Sequence, residues 1–405
     1  MSLITDSAAL AAFCRRLSGA EFVTVDTEFM RERTYWPKLC LVQVAGPEDA
    51  AAIDPLAEGI DLEPLFEVLA EPGTVKVFHA ARQDLEIFQY LAGRLPTPVF
   101  DTQVAAMVCG FGDQVSYETL VAKLARAKLD KGSRFTDWSL RPLSQRQIDY
   151  ALSDVTHLRV VYGKLKQKLE SSGRAEWLAE EMAELTDPGI YDIDPMQAFR
   201  RMKTRGGNAR FLAVLRELAA WREQEAQQRD IPRPRVLRDE ALVEIAHHTP
   251  TTRDELARTR GLGHKLAEGP WGTQILSAVA RGLAVPEAER PRPEEKREMP
   301  RGSGPVADLL KVLLKMKCDD QDVAQKLVAS SADVEMIAAL GEDADVPALH
   351  GWRWQVFGED ALKLRRGRSA LTLRGKKLAL VDVAVADDGS RSVRPSPSDL
   401  RNYAE

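Results

Sequence analysis

The chain has 405 residues, of which 29% are charged and 44% hydrophobic, and a formal net charge of −5. That length accommodates two or three domains, the balance is that of a globular protein in water, and without a run of about 18 apolar residues no membrane span is expected. The four cysteines, Cys14, Cys40, Cys109 and Cys318, are scattered and form no C-x-x-C pair, which argues against a disulfide framework or a zinc site and fits a reducing cytoplasm.

Taken in chain order, residues 8–14 are apolar but are followed, not preceded, by Arg15 and Arg16, the wrong order for a secretion signal. Thr5 or Asp6 instead caps a short amphipathic helix. The run Phe22-Val23-Thr24-Val25 predicts a strand over 21–26, with Asp26, Thr27 and Glu28 at its end. Strand side chains alternate between faces, so Asp26 and Glu28 project together. Neighbouring carboxylates raise each other's pKa unless a cation sits between them. Hard divalent cations such as Mg²⁺ take oxygen ligands of this kind. On its own the pair is also what two solvated acids would look like.

Further strands are predicted over 38–44, 50–54, 74–79 and 98–100, and helices over 61–70, 84–91, 102–108 and 116–127. Short connections between the first three strands predict antiparallel pairing. The later alternation of strands with helices predicts parallel pairing. The segment His79-Ala80-Ala81-Arg82-Gln83-Asp84 follows a strand and places Asp84 near a strand-to-helix turn. Ser144 and Gln147 fit the capping box S-x-x-Q, which starts a long helix over 144–169. Within it Tyr150 and Asp154, four residues apart, share one face.

The ordered set Asp26, Glu28, Asp84 and Tyr150-x-x-x-Asp154 resembles the DEDD family of 3′→5′ exonucleases in its tyrosine-bearing branch. The wording around it, Asp26-Thr27-Glu28-Phe29 and Phe100-Asp101-Thr102-Gln103, is most similar to the ribonuclease D family. The resemblance implies an α/β, ribonuclease-H-like exonuclease domain, a mixed sheet with flanking helices, and two small all-α domains after it. It also implies two divalent metals, Mg²⁺ with Mn²⁺ as the substitute. Asp26, Glu28 and Asp154 would hold one, Asp26 would bridge to the second with help from Asp84, and Tyr150 would orient the attacking water. Five neighbouring features carry alternatives. Asp101 reads as a helix N-cap. His79 reads as a hydrogen-bonded buried histidine or a group near the site. Gln43 reads as a core amide with a backbone partner or a substrate contact. Phe29 and Met30 stack on terminal bases or pack in the core. Lys131, Arg134 and Arg141, around Trp138, hold substrate phosphates or form a solvated loop.

Residues 187–195 are rich in turn signals and read as a connector. Beyond it Leu218, Trp221, Arg222, Ala226, Pro232, Pro234, Val236, Leu237, Leu242, Ile245, Pro250, Leu256 and Gly261-Leu262-Gly263 resemble the HRDC domain, a small helical module. Between Met196 and Arg238 eleven basic residues face four acidic ones, so a nucleic-acid-contacting face that includes Arg201, Arg205 and Arg210 is expected despite the overall charge. The resulting division is an exonuclease domain over 1–195, an HRDC domain over 196–284 and a charged, proline-rich linker over 285–305. A degenerate second HRDC-like helical domain without the P-x-P bend follows over 306–385, then a disordered polar tail over 386–405.

The expected activity is metal-dependent 3′→5′ exoribonuclease action on RNA such as tRNA precursors, releasing nucleoside 5′-monophosphates, in the cytoplasm and without an obligate protein partner. A DNA exonuclease of the proofreading or Werner type uses the same acids and is the alternative. A non-catalytic binding module would not need all five groups. A helicase is excluded, because Gly163-Lys164 and Gly375-Lys376 are followed by Leu165 and Lys377 and no phosphate-binding loop exists.

Overall fold

The computed structural model describes residues 2–130, 132, 136–204, 206–293, 300, 302–385 and 391–394. Its first part is built on a sheet with strand order β1-β4-β3-β2-β5-β6. The elements are β1 (Ser2–Ile4), α1 (Ser7–Leu17), β2 (Phe22–Met30), β3 (Lys38–Ala45), β4 (Ala50–Ile53), α2 (Glu63–Ala70), β5 (Val75–Phe78), α3 (Arg82–Ala92), β6 (Val99–Asp101), α4 (Thr102–Val108), α5 (Tyr117–Leu120), α6 (Gln145–Ser172) and α7 (Ala175–Leu185). β2, β3 and β4 pair antiparallel, and β5 and β6 run parallel to β2, as the connection lengths predict. β1 adds a parallel edge to β4. With three residues it is too short to show alternation in sequence.

β2 continues to Met30 instead of ending at Asp26, because Asp26, Thr27 and Glu28 go on pairing with Gln43, Val42 and Leu41. The two acids therefore lie within a strand. β5 accompanies β2 only from Phe22 to Thr24, so beyond Thr24 one edge of β2 is open for a site. A register shift between Glu28 and Phe29 leaves Cys40 as the extra residue on β3. Its carbonyl accepts from Arg141 Nη2 at 2.7 Å, and the same guanidinium grips Asp54 through Nε and Nη2 at 2.6 Å each. Arg141 is thus fully used by the fold, and meets neither the phosphate-contact nor the solvated-loop reading. Trp138 beside it is buried, and Lys131 and Arg134 lie outside the described residues.

α6 starts where predicted, with Ser144 and Gln147 closing a capping box, and ends at Gly173 in the left-handed region. Its buried residues, Ala151, Leu152, Asp154, Val155, Leu158, Val161, Tyr162, Leu165 and Leu169, recur every three or four positions and cover the sheet. Each fully buried leucine or valine contributes about 1.5–3 kcal/mol. The same face thus carries the packing energy and one catalytic candidate.

The second block is helical: α8 (Ala209–Arg229), α9 (Arg233–Val236), α10 (Asp239–His248), α11 (Arg253–Ala257), α12 (His264–Glu268) and α13 (Pro270–Ala284). Leu218, Trp221, Ala226, Val236, Leu237, Leu242, Ile245, Leu256 and Leu262, residues that carry the HRDC resemblance, lie in its core. Arg222 is buried and donates to Leu237 O at 3.0 Å and to Asp239 at 2.6 Å, which pins the proline-rich bend. Tyr35, from the β2–β3 connection, belongs to this second core. Its hydroxyl meets Glu223, Gln227 and Arg233, and Asp230 takes the Tyr35 and Trp36 N–H groups at 3.0 Å. Burial works against the Glu223 charge, but Arg233 and Tyr35 hold its pKa below the ordinary value.

The third block comprises α14 (Ser303–Gln321), α15 (Gln325–Val328), α16 (Ser331–Leu340), α17 (Gly351–Arg353) and α18 (Glu359–Arg365). It is not all-helical. β7 (Ser369–Arg374), β8 (Lys377–Val385) and β9 (Arg391–Arg394) form an antiparallel sheet. Residues 369–385, which fall inside the segment expected to be a helical domain, form a hairpin instead, because Gly375 at φ +59° turns the chain and cross-strand pairs satisfy the backbone on either side. β9 falls in the segment expected to be disordered. The rest of that tail, and 294–299 and 301 of the expected linker, lie outside the described residues, while α14 already begins inside the linker range. This block docks on the first: Trp352 stacks on Trp177 at 4.4 Å, Arg353 meets Glu180 and Glu181, and Ala324 N donates to Met107 O at 3.0 Å. Gly110 allows the close approach, since a Cβ there would lie 2.1 Å from Asp322. Among the described residues no helix is long and apolar enough to cross a membrane.

Candidate active site

Asp26 and Glu28 leave the open stretch of β2 on the face that α6 covers. Thr24, two residues before Asp26 on that face, donates to Val155 O at 2.8 Å. The Tyr117 hydroxyl, from α5, donates to Asp154 O. These two bonds fix the rotation and height of α6, and so place Asp154 over the strand acids. One carboxylate oxygen from each of Asp26, Glu28 and Asp154 lies within 4.8 Å of the others. Tyr150 is one turn back on α6 and hydrogen-bonds Asp154.

These groups line a cavity of about 360 Å³, together with Thr27, His79, Ser116, Tyr117, Glu118, Leu129, Asp130 and Leu158. Asp84 does not join the three-carboxylate cluster. It is buried in the first turn of α3, where the helix N-terminus favours an anion, and accepts from the Thr27 hydroxyl. Asp101 caps α4 as read from sequence, accepting from Gln103 N at 2.7 Å and Val104 N at 3.4 Å. It also takes Ala80 N at 3.0 Å and Ala81 N at 2.8 Å. Ala80 sits at φ +59°, which costs an L-residue about 1–2 kcal/mol. Asp101 thereby holds the strained turn that sets His79 and the start of α3. His79 meets both of its readings, since Nδ1 is 3.0 Å from Thr102 Oγ1 while the ring lines the cavity.

Electrostatically the site is overloaded with negative charge. Burial pushes the Asp26 carboxyl up to about 6, against the pull of a Thr27 backbone hydrogen bond. Burial and then the charge of Asp26 raise Asp84 well above the usual carboxylate range. Burial, followed by Asp154, Glu28 and Asp26, holds the Tyr150 phenol far above its ordinary value, so it stays protonated. Burial lowers His79 against the opposing charge of Asp101. Oxygen-only ligands with mutually raised pKa values suit a hard divalent cation, which would remove the repulsion.

Phe29 packs against the main sheet cluster and Met30 against the small cluster around Trp138, and neither lines the cavity. Arg201 and Arg210 are exposed on the second block, and Arg205 lies outside the described residues. Four other arginines of the basic stretch, Arg216, Arg222, Arg229 and Arg233, are paired with Glu217, Asp239, Glu225 and Glu223. Sequence reasoning missed Tyr117. Its only local signal was the N-cap Ser116, which marks a helix start and says nothing about contact with α6. Gln43 was expected to have a backbone partner, but neither of its amide atoms has a partner among the described residues.

A family model described as 3′-5′ exonuclease matches residues 1–170, and one described as HRDC domain matches residues 211–279. The chain is 53% identical to ribonuclease D of Gluconacetobacter diazotrophicus, over 93% of this chain and 95% of that protein. It is 51% identical to ribonuclease D of Granulibacter bethesdensis, over 94% and 96%. The crystal structure of Escherichia coli RNase D, described as an exoribonuclease involved in structured RNA processing, superposes with a TM-score of 0.76. It is 30% identical, over 90% of this chain and 98% of that one.

Proposed function

The chain belongs to the ribonuclease D family, 3′→5′ exoribonucleases that use divalent metal, and on that premise we propose how its residues divide the work. Asp26, Glu28 and Asp154 would hold one divalent cation, and Asp26 with Asp84 would help to hold a second. The observation that carries this reading is the meeting of three carboxylates from β2 and α6 within 4.8 Å. Mg²⁺ is the resident metal, with Mn²⁺ able to replace it. Cations bound there supply activation of the attacking water and neutralise charge on the leaving oxygen. Four carboxylates carry the charge that two divalent cations balance. Tyr150, kept protonated by its surroundings, orients the water by hydrogen bonding and does not remove its proton. The products are nucleoside 5′-monophosphates.

The substrate class is structured RNA with a free 3′ end, such as tRNA precursors. The exonuclease relative from E. coli supports this, and so do Arg201 and Arg210, which make no ion pair among the described residues and are exposed. Residues 1–195 supply the chemistry and 196–284 supply RNA affinity. A matched pair of 3′-labelled RNA and DNA strands tests the chemistry. RNA is expected to release its 3′ label as a mononucleotide with Mg²⁺ or Mn²⁺, and DNA to release it far more slowly. Equal rates on both would favour the DNA-exonuclease reading.

Truncation after 185 is a poor test of the second block, because it would expose Tyr35. Charge reversal is cleaner. Arg201→Glu with Arg210→Glu is expected to weaken tRNA binding. It should also flatten the plot of log affinity against log salt by about 0.7–0.9 for each phosphate no longer neutralised. An unchanged slope in a salt series would show that these arginines are only a solvated face.

A further inference from the structure

β2 and β3 place Gln43 directly opposite Asp26. Cross-strand partners project to the same face with Cβ atoms about 4.5–5.5 Å apart, so the Gln43 side chain stands beside Asp26 beneath α6. Gln43 is 0% exposed, and neither Nε2 nor Oε1 has a hydrogen-bond partner among the described residues. Its neighbour on β4 is Ala52, which belongs with Trp138, Ala151 and Leu152 to an apolar layer. A polar amide in that layer is costly, and a hydrocarbon of the same length would be tolerated better. Thr24, the neutral polar side chain that β2 presents on this face, is already committed to Val155 O at 2.8 Å and Ala45 O at 3.2 Å. Gln43 is therefore a neutral donor beside Asp26 that no other acceptor among the described residues has taken.

We propose that Gln43 is a positioning residue for Asp26, its amide N–H donating to the Asp26 carboxylate in the metal-loaded site and fixing the orientation in which that carboxylate binds a cation. This rests on the assignment of Asp26 as a metal ligand. Partners that orient metal-binding carboxylates are worth about 10–100-fold in metal affinity. The amide carries its cost in the free protein and is satisfied only when the site is loaded.

The test is thermal melting of the full chain without RNA, across a titration of Mg²⁺ or Mn²⁺, with calorimetric metal binding beside it. Gln43→Met keeps the length of the side chain and removes its polarity, and Gln43→Leu serves as a second variant. Both are expected to melt no lower than wild type without metal, and to need about tenfold more metal, or beyond, for half of the stabilisation. A metal midpoint within twofold of wild type would overturn the proposal. So would a drop of several degrees, or failure to fold, in both metal-free variants, because the amide would then have a partner in the free protein. Absence of metal-induced stabilisation in wild type would be a different failure, that of the carboxylate assignment itself.

Discussion

Asp26→Asn is expected to reduce metal-dependent RNA hydrolysis by about three orders of magnitude or more while the protein stays folded and still binds RNA. The carboxylate is shared by both proposed cations, so its loss removes several kcal/mol of transition-state stabilisation at about 1.4 kcal/mol per factor of ten. Asp154→Asn should behave alike, since it removes the charge of one of the three converging carboxylates. The metal-free protein offers an independent reading. Burial raises Asp26 from its ordinary value to about 6, so the folded state binds more protons than the unfolded chain between about pH 4 and 6. Stability should therefore fall as pH rises through that window, and Asp26→Asn should flatten the fall. Near-normal turnover in either variant at saturating metal would remove the carboxylates from the mechanism.

Tyr150→Phe is expected to slow the chemical step by about 10²–10⁴-fold and to leave RNA affinity unchanged. The phenol lies one helical turn from Asp154, hydrogen-bonds it, and keeps its proton at neutral pH. It can orient a water but is not ionised to act as a base. The residual activity of the variant should therefore follow the same pH dependence as wild type below pH 9, shifted down in rate. Single-turnover hydrolysis at saturating RNA measures both quantities. An unchanged rate would exclude Tyr150, and loss of an ionisation near neutral pH would show that it serves as the base after all.

The acids were legible because each carries a local mark. Asp26 and Glu28 obey strand alternation, Asp84 follows a strand-to-helix turn, and Tyr150 and Asp154 ride four residues apart behind a capping box that the structure reproduces. The second block was legible through its resemblance to the HRDC domain, and most of the apolar residues that carry that resemblance are buried together in its core. The third block misled. The whole segment was assigned to a helical domain, whereas β8 pairs with β7 and β9 in a sheet at its end. Arg141 misled for another reason: a basic residue near a candidate site looks the same whether it waits for phosphate or is saturated by Asp54 and a bulge carbonyl.

By itself the amino-acid sequence determined which side chains share a face, where the long helix begins, and that four acids and a tyrosine come in the order of one exonuclease family. Periodicity and capping are properties of neighbours along the chain, so they need no knowledge of the fold. Tertiary structure alone decided that Thr24 and Tyr117 hold α6 over β2, that Tyr35 belongs to the core of the next block, and that Gln43 stands unpartnered beside Asp26. Each of these joins residues far apart in the chain, through a hydrogen bond, a shared apolar cluster or a strand register that exists only once both elements are packed.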